Sequence, residues 1–123
     1  MNRRWAACGA FAAGIAVAAG AFGAHGLKDA LSAARLDVWE KAVRYQAFHA
    51  LALFLVAFWP AAGAERLLRT AGAAFLAGIV LFSGSLYALA ITDAKAWGAV
   101  TPFGGVAFMV GWSALAAAAL RRD

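Results

Sequence analysis

The side chains that could do chemistry within the apolar runs of this sequence are His25, Tyr45, Gln46, His49, Ser83, Ser85, Tyr87 and Thr101. Tyr45 and His49 lie four residues apart, and Gln46 and His49 three apart, so on a helix these groups project from neighbouring positions of one face. Imidazoles near a phenol and an amide could relay protons, and a pair of imidazoles could hold a haem iron. The same two histidines could instead border a quinone site. A catalytic set is harder to assemble. No nucleophile has a base and a carboxylate in register, no Gly-rich phosphate loop occurs, and Tyr45 with His49 as an acid/base pair has no accompanying substrate-binding feature. The single cysteine, Cys8, excludes an internal disulfide and a cysteine metal cluster. The expectation is therefore a polar pocket or hydrogen-bonded plug formed by the eight residues, with no catalytic residue, no metal and no cofactor.

The elements that must position these groups are set by composition. Hydrophobic residues make up 65% of the 123, charged residues 14%, and the mean hydropathy is +0.76, far from the roughly 45–50% apolar and about 25% charged of globular domains. The predicted class is an all-α integral membrane protein forming one domain over residues 1–123. Four transmembrane helices are expected in an antiparallel bundle, at about residues 5–24, 42–59, 70–92 and 102–120, each long enough at 1.5 Å per residue for a core about 30 Å thick. The first run is too long for a signal-peptide h-region of roughly 7–15 residues. Residues 27–35 read as a short amphipathic interfacial helix between spans one and two. Asp37 with Glu40 resembles a capping box opening the second long helix, Glu40 and Arg44 a favourable pair, and Thr101-Pro102 the start of the fourth. Small residues recur at spacing four in the first run, as Ala6, Ala10, Gly14, Ala18 and as Ala12, Ala16, Gly20, Ala24, which suits close helix approach.

Alternating spans put both termini and the 61–69 connector on one side. Lysine and arginine then number six there and five on the other side, so the positive-inside rule favours cytoplasmic termini. Trp5, Trp39, Trp59, Trp97 and Trp112 suit belts at headgroup level, and Arg121-Arg122 a stop anchor. The net charge of +5 flanks apolar spans, which suits anionic lipid headgroups and not nucleic acid. The same alternation places all eight polar residues in the half of the bundle nearest the connectors beginning at Gly26 and Asp93. Burial in hydrocarbon is costly without partners, so they are expected to turn inward and satisfy one another.

The segments FGAHGL (22–27), YQAFHALAL (45–53), LFSGSLYALA (81–90) and TPFGGVAFMVGW (101–112) together resemble the signature blocks of the YgdD/YwdK-type small membrane proteins, domain of unknown function 423, similar to eukaryotic transmembrane protein 256. The resemblance spans nearly the whole chain. It implies a four-span membrane protein whose shared positions include His25, Gly26, Tyr45, Gln46 and His49, and it brings no established reaction. The functional expectation is a multi-pass protein of the bacterial inner membrane, non-enzymatic, acting as a lipid-binding or membrane-protein interaction and assembly module. Its expected partners are membrane lipids and a further copy or another membrane protein. The alternatives are permeation of a small solute or proton, against which stand the lack of a mid-span acid and of a broken span, and a haem or quinone site on the histidines.

Overall fold

A computed structural model describes residues 1–121. They form four helical rods, and no strand occurs among them: α1 Arg3–His25, α2 Ala33–Phe58, a third rod comprising α3 Glu65–Gly78, a π-helical turn Ile79–Ser83 and α4 Gly84–Thr92, and α5 Trp97–Ala119. Three stretches, Arg3–His25, Glu65–Thr92 and Trp97–Ala119, are long and apolar enough to cross a membrane. α2 is longer than α1, but Asp37, Glu40, Lys41 and Arg44 stand exposed on its first turns. Of the expected basic stop, Arg121 is exposed, while Arg122 lies outside the described residues.

Adjacent rods run antiparallel. Trp39 reaches Ala19 and Gln46 reaches Ala12 across α1 and α2, Arg35 reaches Ala90 and Ser83 reaches Ala42 across α2 and the third rod, and Ser85 meets Thr101 across α4 and α5. Glycines let the third rod and α5 close on each other. A Cβ on Gly78 would collide with Phe108, on Gly111 with Phe75, and on Gly104 with the Phe82 backbone. The core between the rods contains Leu53, Val56, Leu68, Phe75, Phe108 and Leu115. Outside it the molecule wears a belt of exposed Phe11, Ile15, Val17, Leu51, Leu55, Val80, Phe103 and Val110, a surface that water would reject and hydrocarbon accepts.

Several local expectations change. Residues 26–32 are turns and a bend, not an interfacial helix. Gly26 and Leu27 both donate to the Phe22 carbonyl, Ala30 and Leu31 to Leu27, so their backbone groups close tight turns that fold Leu27 under Trp39 and Ala90. α2 begins at Ala33 with Ser32 as N-cap, its hydroxyl accepting from Arg35 at 3.2 Å. Asp37 is thus inside the helix, and Glu40 and Arg44 form no ion pair; among the described residues the salt bridge is Lys95–Asp93. α5 starts at Trp97, a turn before Thr101, with Pro102 inside it; that proline falls in the second turn and cannot donate the i→i−4 bond to the Gly98 carbonyl. The two small-residue stripes of α1 separate: Ala12 and Ala16 are buried, whereas Ala10, Gly14 and Ala18 face outward.

Candidate functional site

The polar residues divide into an interhelical network and a groove. In the network, Gln46, 4% exposed, donates from Nε2 to the Ala12 carbonyl at 2.8 Å and accepts at Oε1 from the Tyr87 hydroxyl at 2.8 Å. One amide thereby ties α1, α2 and α4 together. Ser83, fully buried, donates to the Ala42 carbonyl at 2.8 Å. Ser85 donates to the Phe82 carbonyl at 2.9 Å and meets the Thr101 hydroxyl at 2.6 Å. Carbonyls of a helix already have one donor each, so these side chains use second lone pairs and leave no buried group orphaned. Every buried side-chain nitrogen and oxygen among the described residues has a partner.

His49 faces the other way, toward α5. It is 3% exposed. Its Nδ1 lies 2.8 Å from the Tyr45 carbonyl, and the Trp112 indole N–H donates to its Nε2 at 3.1 Å. A carbonyl can only accept and an indole N–H only donate, so the pattern is that of the Nδ1–H tautomer. The ring stacks on Phe108, centroids 3.5 Å apart and planes 9° apart. Phe108 is the middle residue of α5, which puts His49 at mid-height of the bundle and not in the half nearest the 26–32 turns. Both nitrogens are occupied, leaving no lone pair for a metal.

Outside this ring lies a groove of about 590 Å³ between α2 and α5. Tyr45, Phe48 and His49 form one wall, Gly105, Phe108, Met109 and Trp112 the other, Phe82 its floor, and Arg44 stands at one end. Phe48 is 60% exposed and Met109 69%, so the groove opens sideways. The face is built by helical spacing: 105, 108, 109 and 112 fall on one side of α5, as 44, 45, 48 and 49 do on α2. The π turn contributes as well. Its extra residue lets Phe82 lie against Gly104 and near Tyr45, centroids 4.6 Å apart, and such turns recur at functional sites.

The structure therefore joins Tyr45 with His49 at the groove, Gln46 with Tyr87, and Ser85 with Thr101, while Ser83 stands alone against α2. His25 is exposed at the end of α1. It pairs with neither Tyr45 nor His49, and in the antiparallel register, where His49 is level with Gly9, it lies roughly 24 Å from His49 along the bundle at 1.5 Å per residue. No group of three His, Cys, Asp or Glu side chains among the described residues could hold a metal ion. Sequence reasoning passed over Arg44, Phe108 and Trp112. Trp112 read as a belt residue, although its spacing of four from Phe108 was legible as one helical face. Trp39, also read as a belt residue, is buried, its indole N–H donating to the Ala19 carbonyl at 2.8 Å, and Trp5 packs over Gly72.

Comparison with known proteins places the chain in a family. Residues 19–105 match the family model described as protein of unknown function (DUF423). UPF0382 membrane protein YwdK of Bacillus subtilis (strain 168) is 48% identical over 118 residues, covering 92% of this chain and 93% of that protein. A UPF0382 membrane protein of Staphylococcus epidermidis (strain ATCC 12228 / FDA PCI 1200) is 46% identical over 113 residues, 92% of each chain. SSP2132 of Staphylococcus saprophyticus, also named a UPF0382 membrane protein, is 49% identical over 104 residues, 85% of this chain and 86% of the relative. No solved structure gives a significant match. With the family model covering well over half of the chain and its membrane-protein relatives aligning almost end to end, this all-helical protein belongs to the DUF423 family.

Proposed function

We propose that this chain is a non-enzymatic, multi-pass module of the bacterial inner (plasma) membrane that receives a lipid acyl chain in the groove between α2 and α5. The observation that carries the reading is the character of that groove. Its walls are mostly aromatic with Met109 beside them, it opens sideways through the exposed belt, and the one imidazole in it has both nitrogens engaged. A site for bond-making needs a group with free capacity. Here the buried polar groups are consumed in holding helices together, which supports a binding role over proton relay, and the separation of His25 from His49 speaks against a haem held by both.

α2 completes a four-span reading. At 26 residues it extends about 39 Å at 1.5 Å per residue, and it packs on α1 from Trp39 to Phe54 and on the third rod from Ala42 to His49. Where those neighbours cross, α2 crosses with them. The lysine and arginine count, six on the side of the termini against five on the other, supports cytoplasmic termini. A second reading, a module that assembles with another copy or another membrane protein, draws on the outward stripe of Ala10, Gly14 and Ala18, a shallow trough beside Phe11 and Ile15.

The test uses diacylglycerol carrying a photoreactive diazirine in its acyl chain, added to the purified full-length protein in nanodiscs. Labelling is expected on the segment holding Met109 and Trp112, and Gly105→Trp, which fills the groove, should abolish it. Labelling spread evenly over the belt, or unchanged in Gly105→Trp, would overturn the reading.

A further inference from the structure

The outward face of α2 changes character along its length. Asp37, Glu40, Lys41 and Arg44 are exposed at positions i, i+3, i+4 and i+7, and the same face continues as Phe48, Leu51, Leu55 and Phe58. From the 26–32 turns inward the order is therefore two carboxylates, two cations, then hydrocarbon. Glu40 and Arg44 are about 6 Å apart along the axis at 1.5 Å per residue. Among the described residues none of the four is in an ion pair or a side-chain hydrogen bond. They are not clear of the apolar zone either. Arg44 and Gly105 border the same groove, and Phe103, two residues from Gly105, is 70% exposed. Charges at that height call for a partner.

We propose that this stripe binds the headgroup of a zwitterionic, amine-bearing phospholipid, phosphatidylethanolamine in type, whose acyl chain occupies the α2–α5 groove. The inference rests on the groove reading and adds what selects the lipid. Inserted from the side of the 26–32 turns, such a lipid presents acyl carbon, phosphate and ammonium in that order outward. The protein presents Phe48 and Met109, then Arg44 and Lys41, then Glu40 and Asp37. Each charge meets its opposite. Arg44 suits the phosphate because its fork can bond two oxygens at once, and its aliphatic stem can lie along the groove wall while the guanidinium reaches outward. An anionic lipid lacking the amine, such as phosphatidylglycerol, would satisfy the cations with its phosphate and leave the carboxylates facing neutral hydroxyls, without a cation. The stripe thus discriminates by order of charge, although its own net charge is zero.

The experiment is competitive native mass spectrometry of the full-length protein released from nanodiscs containing phosphatidylethanolamine, phosphatidylglycerol and diacylglycerol with identical acyl chains. Wild type should retain phosphatidylethanolamine over phosphatidylglycerol by roughly fivefold, the scale of a partly exposed charge contact. Asp37→Lys combined with Glu40→Lys should reverse the preference, and Arg44→Gln should reduce both phospholipids to the level of diacylglycerol. Equal retention of the two phospholipids by wild type, or a preference unmoved in the double variant, overturns the headgroup site while retained diacylglycerol leaves the groove standing. If no lipid including diacylglycerol is retained, the groove reading falls and this one with it. A disulfide dimer formed by Lys41→Cys in a Cys8→Ala background would show a second copy covering the stripe, and would also overturn the proposal.

Discussion

Neighbouring glycines of α5 should respond to the same substitution with opposite signs. A methyl group on Gly104 would sit 2.6 Å from the Phe82 Cα and Cβ, and closer still to its amide nitrogen, where ordinary contacts are 3.4–4 Å. The obstacle is backbone of the π turn, which no rotamer change removes, so α5 must retreat by about 1 Å to restore contact distance. Retreat would also loosen Phe108 on Gly78 and Phe75 on Gly111, which belong to the same interface. Overpacking typically costs about 1–3 kcal/mol, and with backbone as the obstacle Gly104→Ala should lie near about 3 kcal/mol. Gly105→Ala meets nothing within 4 Å and should stabilise by about 0.5–1 kcal/mol through reduced chain entropy. Reversible unfolding in mixed micelles of rising SDS fraction, followed by circular dichroism, should separate the two variants by about 3.5 kcal/mol. A separation below about 0.5 kcal/mol would refute the claim that α5 closes on the π turn through Gly104.

Trp112→Phe should cost about 1–3 kcal/mol in the same assay, because it leaves the buried Nε2 of His49 without a donor. Adding His49→Phe should then recover most of that loss, and strictly additive costs would count against the bond. Gln46→Leu removes bonds to both α1 and α4 and should cost about 2–3 kcal/mol, against about 1 kcal/mol for Tyr87→Phe; equal losses would show that the amide's bond to Ala12 contributes nothing. Arg35 donates to the Ala90 and Ile91 carbonyls at 2.7 and 2.6 Å, holding the end of α4 where Asp93 turns left-handed at φ 55°. Arg35→Met should speed amide exchange in the last turn of α4 by roughly tenfold, and unchanged exchange there would remove Arg35 from the cap.

By itself the sequence determined the solvent and the building blocks. Hydropathy and the 3.6-residue period are local properties, so the helical rods and the alternation of their direction could be read directly, whereas the rods from the second onward begin five to nine residues earlier than their apolar runs, and the blocks around Tyr45, Ser83 and Thr101 sufficed to indicate the family. Which residue begins a helix was already less legible, because Ser32 and Asp37 are both good caps and only the tight turns of residues 26–32 decide between them. Tertiary structure alone decided the rest. The rotation of α2 about its axis sends Gln46 toward α1 and His49 toward α5, although the two residues are three apart, and turns an expected common pocket into a network on one side and a groove on the other. The extra residue of the π turn shifts the face that Phe82 presents, and the crossing of α5 brings Trp112 onto His49. Such convergences depend on helix phase and approach distance, set by glycine contacts between distant parts of the chain, and those quantities have no signature within any one helix.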